Sequence, residues 1–142
     1  MSAKLGLLEV NQSLIGELLN ILAAGEIDMT LFYRELANDH FDRLDAAELL
    51  AKSSYLDVAI EEIRFLEPWL KRYSDEIQKQ DIDDQTRVGL MSRTNPLYVF
   101  RNYLAQLAID DAENGDYSMV DELLDVYRSP YQEQNGRARF AE

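Results

Sequence analysis

The sequence predicts an all-α fold, a single bundle-like domain of about six or seven helices, and three observations carry that prediction. Turn punctuation is sparse, with 6 Gly and 3 Pro in 142 residues. Leu, Ala and Glu, which favour helices, are common. Apolar residues recur three and four positions apart, the period of a helix that buries one face. A chain of this length buries about two thirds of its unfolded surface, so one core can hold it without a staple. There are no cysteines, which excludes disulfides, thiolate metal sites and cysteine nucleophiles and agrees with a reducing compartment.

Taken in order, Leu14, Leu18, Ile21 and Leu22 form the stripe of a first helix, capped by Asn11 or Ser13 and stopped at Gly25. A second helix starts from Asp28 or Thr30, carries Leu31, Tyr33 or Arg34, and Leu36 on alternate faces, and ends at Asn38-Asp39. Asp45 opens a short third piece, Ala46 to Lys52. From Asp57, the residues Ile60, Ile63, Leu66, Leu70, Tyr73 and Ile77 keep one face through Pro68, where a kink or a fresh helix start is expected because proline lacks the amide and crowds the carbonyl four residues back. After Asp81-Ile82-Asp83-Asp84, a shorter helix capped by Asp83 or Asp84 runs through Val88 and Met91 to Thr94.

Asn95-Pro96 reads as the sharpest start in the chain, with Asn at the cap and Pro at the first helical position. The helix then extends to about Glu113. It carries Leu97, Phe100, Leu104, Leu107 and Ala108 on one face and Tyr98, Val99, Tyr103 and Ile109 elsewhere, which marks it as the central helix. Asn114-Gly115 stops it. Ser118 with Asp121 resembles a capping box for a last helix, Met119 to Arg128, ended by Ser129-Pro130. Residues 1–130 thus form the helical domain, and the polar segment 131–142 is expected to be extended or frayed.

Charge narrows the function classes. The formal net charge is −13, from 27 acids against 14 bases. The acids are spread along the chain, 9 in each of residues 1–54, 55–94 and 95–142. Such a surface repels phosphate backbones, so nucleic acid is not expected as a partner. The start lacks a signal-peptide pattern and no apolar run reaches membrane-spanning length, so no membrane partner and a cytoplasmic setting are expected.

Chemistry-bearing motifs are few. Neither GxGxxG nor GxxxxGK[ST] occurs. His40 is the single histidine and lies in a polar stretch that reads as an exposed loop, while Asp81, Asp83 and Asp84 lack the Gly and distal Glu of a calcium loop and read as helix caps. No catalytic, cofactor-binding or metal-binding residue is assigned. The 8 Tyr, 5 Phe and 1 Trp fall mostly in phase with Leu and Ile, as core residues would. Trp69 beside Pro68, and Tyr98 and Tyr103 near Arg101-Asn102, are the exceptions that invite an interaction reading. Arg101 and Asn102 fall in the helix expected to be most buried, so they need polar partners such as helix-end carbonyls or Asp28.

The order of residues also carries a resemblance. Lys4-Leu5-Gly6-Leu7, Leu14-Ile15, Leu18-Leu19, Asp28-Met29-Thr30 with Arg34 and Leu36, and Trp69-Leu70 with Tyr73 are followed by Arg87 and Met91, then Asn95-Pro96. Tyr98-Val99-Phe100-Arg101-Asn102-Tyr103-Leu104, Ala108-Ile109, Gly115-Asp116, Leu123-Leu124 and Pro130-Tyr131 complete the series. This order resembles the C-terminal part of the selenoprotein O family over nearly the whole chain. Its most specific element is Met91 with Asn95-Pro96 and Arg101-Asn102-Tyr103.

The resemblance implies a pseudokinase-like parent that transfers AMP from ATP, with Mg or Mn, to hydroxyl groups of protein substrates. Its nucleotide and metal residues would lie in a kinase-like part that precedes this region, so no catalytic residue is carried over. The chain would then be a supporting or substrate-docking module whose partners are that catalytic domain and protein substrates. Its structural and interaction candidates are Asn95, Pro96, Arg101, Asn102, Tyr103, Trp69, Tyr73 and Arg34. Departures are Met29, where the family commonly has an aromatic residue, Glu76, where it has a basic one, and the lack of the cysteine or selenocysteine found in many family tails. The alternative reading from another class is a free-standing acidic helical adaptor for a partner protein.

Overall fold

The structure, a computed structural model, describes residues 1–55 and 60–141. Among them it is all-α, with seven α-helices and two short 3-10 turns at Ser2–Leu5 and Ala138–Phe140. Helix α1 is Gln12–Ala24, α2 Met29–Asn38, α3 Ala46–Ser53, α4 Ile60–Lys79, α5 Asp84–Thr94, α6 Asn102–Glu113 and α7 Ser118–Tyr127. The expected helix start at Asp57 lies outside the described residues, as does the side chain of Ile60. Among the described residues, no helix is long and apolar enough to cross a membrane.

Backbone contacts divide the chain into two compact units, Met1–Asn95 and Pro96–Glu142. In the first, α1 and α3 pack on α4, α2 packs on α3 and α5, and the N-terminal 3-10 turn packs on α5. Its caps are local and follow the sequence. Asn11 accepts from the Leu14 amide at 3.0 Å, Asp28 from Thr30 and Leu31 at 2.8 and 3.0 Å, Asp45 from Glu48 at 2.9 Å, and Asp83 from Thr86 at 2.6 Å. The core gathers Leu5, Leu18, Leu22, Phe32, Leu36, Leu50 and Met91 around the α4 face of Leu66, Trp69, Tyr73 and Ile77.

Helix α4 runs unbroken through Pro68. Both Pro68 and Arg64 lie on its exposed side, so the carbonyl that loses its donor is left to water and not stranded in the core.

Four expectations are corrected from Asn95 onward. The helix does not begin at Asn95-Pro96, and Pro96 is not its first residue. Asn95 instead ends α5, its amide donating to the Met91 carbonyl at 2.8 Å, and its side-chain amide donates to the Lys4 carbonyl at 2.8 Å. The Leu97 and Tyr98 amides both donate to the Pro130 carbonyl, at 2.7 and 3.0 Å, so the donors that a helix start would leave unpaired are satisfied across the unit. Helix α6 therefore starts only at Asn102, with Arg101 at the cap position.

Nor is α6 enclosed. It buries Leu104 and Ala108 against Leu123 and Val126 of α7, while Tyr103, Leu107 and Ile109 stay about half exposed.

The segment after Pro130 is folded and not frayed. Phe140 is buried with Tyr98 and α7, the Gln134 side chain donates to the Val126 and Ser129 carbonyls, and Arg137 donates to the Glu122 carbonyl at 3.0 Å. One aromatic anchor and two long polar side chains hold it down. Ser118 is also not a cap, because Asp116 accepts from its amide at 2.9 Å.

Candidate functional site

A polar network closes the middle of the first unit, and Arg87 is its hub. The side chain has no exposed surface. Helix α5 places it one turn past Asp84, whose carboxylate accepts from Nε at 2.6 Å. One terminal nitrogen, Nη1, donates to the Leu36 carbonyl at 3.1 Å and the Tyr73 hydroxyl at 3.2 Å, and the other donates to the Asp39 carbonyl at 2.8 Å. Burial works against the charge, but Asp84 and Tyr73 outweigh it, and the guanidinium pKa is raised. Gly6, at φ +67°, makes room: a Cβ there would sit 2.6 Å from Arg87 Cγ.

The partner helix returns the arrangement. Arg34 of α2 donates to the Ser92 and Asn95 carbonyls at the end of α5, at 3.4 and 3.2 Å, just as Arg87 of α5 caps the end of α2. Each helix thus has its last carbonyls closed by an arginine from the other.

Tyr73 and Trp69 extend the network into α4. The Tyr73 hydroxyl donates to the Leu5 carbonyl at 2.9 Å, the Trp69 indole N–H donates to the Leu14 carbonyl at 2.8 Å, and the rings stack at 5.2 Å with 8° between planes. Burial pushes the Tyr73 hydroxyl up to about 12, with Arg87 pulling the other way.

A pH prediction follows from that shift. Above pH 10 the unfolded chain begins to lose this proton while the folded chain keeps it. The contribution is therefore complete below pH 10 and lost as pH rises to about 12. In Tyr73→Phe, urea unfolding followed over that window should fall less steeply than in the unmodified chain. An equal slope would contradict the assignment.

The candidates from sequence therefore separate. Trp69, Tyr73, Arg34 and Asn95 meet in or beside the first unit's network, with Trp69 and Tyr73 fully buried and Asn95 2% exposed. Pro96, Arg101, Asn102 and Tyr103 belong to the second unit. Arg101 is half-buried, whereas Asn102 and Tyr103 are exposed, because α6 starts at 102 and directs only Leu104 and Ala108 inward. The expectation that Asn102 sits in a buried helix is thus corrected. Helix-end carbonyls do receive a buried arginine, Arg87. Sequence reasoning noted Arg87 without assigning it a role. Its polar neighbours Asp84, Gln85 and Thr86 suggest a solvated turn, and no local signal in the sequence marks its burial.

Among the described residues, no three His, Asp or Glu side chains group to hold an ion. Of the acidic run, Asp83 caps α5 and Asp84 holds Arg87. His40 is exposed beside Asp42 and stacks on Phe41. A groove of about 620 Å³ lies between residues 7–12 and the end of α4, where Leu8, Val10 and Lys79 line it with Gln80.

With this geometry in place, similarity to known proteins decides the family. The family model described as protein adenylyltransferase SelO matches residues 1–128. The chain belongs to the SelO family. Relatives of this SelO chain include the protein nucleotidyltransferase YdiU of Rhodopirellula baltica, 39% identical over 160 residues, covering 100% of this chain and 30% of the relative. The YdiU protein of Xanthomonas axonopodis pv. citri is 42% identical over 143 residues, covering 99% and 28%. That of Tolumonas auensis is 38% identical over 146 residues, covering 100% and 28%. The SelO chain therefore spans less than a third of the length of the curated relatives it matches.

Proposed function

We propose that this chain serves as the C-terminal helical part of a SelO-type protein nucleotidyltransferase. It supports a kinase-like catalytic part, helps shape where protein substrates dock, and performs no transfer of its own. The supporting observation is its span, since it aligns from end to end with proteins more than three times longer. The structure is consistent with a scaffold role: the buried Arg87, Tyr73 and Trp69 spend their polar atoms on joining helices and present none to a ligand. On this reading ATP and Mg or Mn belong to the catalytic part, and the setting is cytoplasmic.

The test is direct. The purified chain is mixed with labelled ATP, Mg²⁺ or Mn²⁺ and a general protein acceptor, beside a full-length YdiU relative as the active control. Label should transfer only with the full-length protein. Robust transfer by the 142-residue chain alone would overturn the proposal.

A further inference from the structure

Helix α6 is more apolar than its place in the second unit requires. Leu104 and Ala108 face α7, yet Tyr103 and Leu107, four apart on the helix, line a second flank and are each 49% exposed, and Phe100, two residues before the helix starts, is 61% exposed. Phe100 is steadied from one side by Tyr127, whose ring centroid is 5.6 Å away, and that edge contact leaves most of its surface uncovered. A helix with apolar residues on several sides is normally enclosed.

The unit that carries this flank is small. Its buried apolar set among the described residues is Tyr98, Leu104, Ala108, Leu123, Val126 and Phe140. A core of that size supplies little stability by itself, and the absence of cysteine rules out disulfide staples. The flank lies wholly within residues 1–128, the part matched by the family model, so it belongs to the region shared with much longer proteins. Those proteins carry roughly 70% of their length outside the aligned part.

We infer that the Phe100–Tyr103–Leu107 flank is the seat on which the remainder of the polypeptide rests in a full-length family member, so that α6 becomes an enclosed helix there. The inference rests on the reading of this chain as part of a longer nucleotidyltransferase. Its occupant is that protein's own remaining chain, contributing an apolar surface. Asp110 and Asp111 lie at the far end of the flank, and residues 95–142 carry 9 acids against 4 bases, so the rim of the occupant should be basic there.

The experiment compares the isolated chain with full-length YdiU of Xanthomonas axonopodis pv. citri. In hydrogen exchange, the segment aligned with 103–109 should exchange at least tenfold more slowly in the full-length protein; equal rates in both would overturn the inference. Leu107→Arg should leave the melting temperature of the isolated chain within about 2 °C, as expected for an exposed position. At the aligned position of the full-length protein it should lower that temperature by more than 4 °C, while Gln106→Arg is neutral in both. Tolerance of the Leu107 change in the full-length protein would overturn the inference. So would a concentration-dependent dimer of the isolated chain that Leu107→Arg dissolves, because the seat would then belong to a second copy. These outcomes are separate from the label-transfer result, which tests the functional reading alone.

Discussion

Arg87→Met is expected to destabilise the chain by about 3–5 kcal/mol, the usual cost of removing one partner from a buried, hydrogen-bonded charge network. Methionine keeps most of the side-chain length, so the loss reports the polar contacts and not a cavity. Four oxygen acceptors lose a donor, the Asp84 carboxylate, the Leu36 and Asp39 carbonyls and the Tyr73 hydroxyl, and the Met91 sulfur loses one as well. Each buried group left unsatisfied costs about 1–3 kcal/mol, and the sum is reduced where water can enter beside partly exposed Asp84. Urea unfolding followed by far-UV circular dichroism measures the change. Asp84→Asn should cost less by itself and should not add fully to Arg87→Met, since both act on one contact. A midpoint unchanged by Arg87→Met would show that the network contributes nothing to folding.

Trp69→Ala should cost a similar amount, about 3–5 kcal/mol, for a different reason. The indole is fully buried, stacks on Tyr73, and reaches across to α1 through the Leu14 carbonyl. Its removal leaves a cavity where α4 meets α1. Trp69→Phe keeps an aromatic surface against Tyr73 and should recover more than half of the loss, because the Leu14 carbonyl retains a place in the α1 helix ladder. Thermal unfolding of the two variants side by side checks the order. A tryptophan-to-alanine change that left the melting temperature in place would mean α1 and α4 are held together by something other than this packing.

The legible parts of the fold share a physical character. Asn11, Asp28, Asp45 and Asp83 cap helices through amides two or three residues away, so their role is written within a single turn of sequence. The α4 stripe is equally local. The elements that escaped depend on distant partners. Asn95-Pro96 has the chemistry of a helix start, but the Pro130 carbonyl takes the Leu97 and Tyr98 amides from 33 and 32 positions further along the chain. Residues 131–141 look too polar to fold until Phe140, Gln134 and Arg137 find α7. Of the candidate residues, Tyr73 was legible as an aromatic member of a stripe, whereas Trp69, which the sequence set apart as an exception to core packing, is fully buried in the core. Arg87 was not, because a charge amid polar neighbours signals exposure unless the acceptors that enclose it are known.

The reciprocal closure of α2 by Arg87 and of α5 by Arg34 has a consequence for how the polypeptide matures. Leu36 and Asp39 wait for a donor 51 and 48 positions later, so α2 emerges from the ribosome with an open end that nothing nearby can seal. Neither end can be closed by its arginine partner until α5 has been synthesised. A nascent chain halted before that point would display a ragged α2, the kind of surface that holding chaperones recognise.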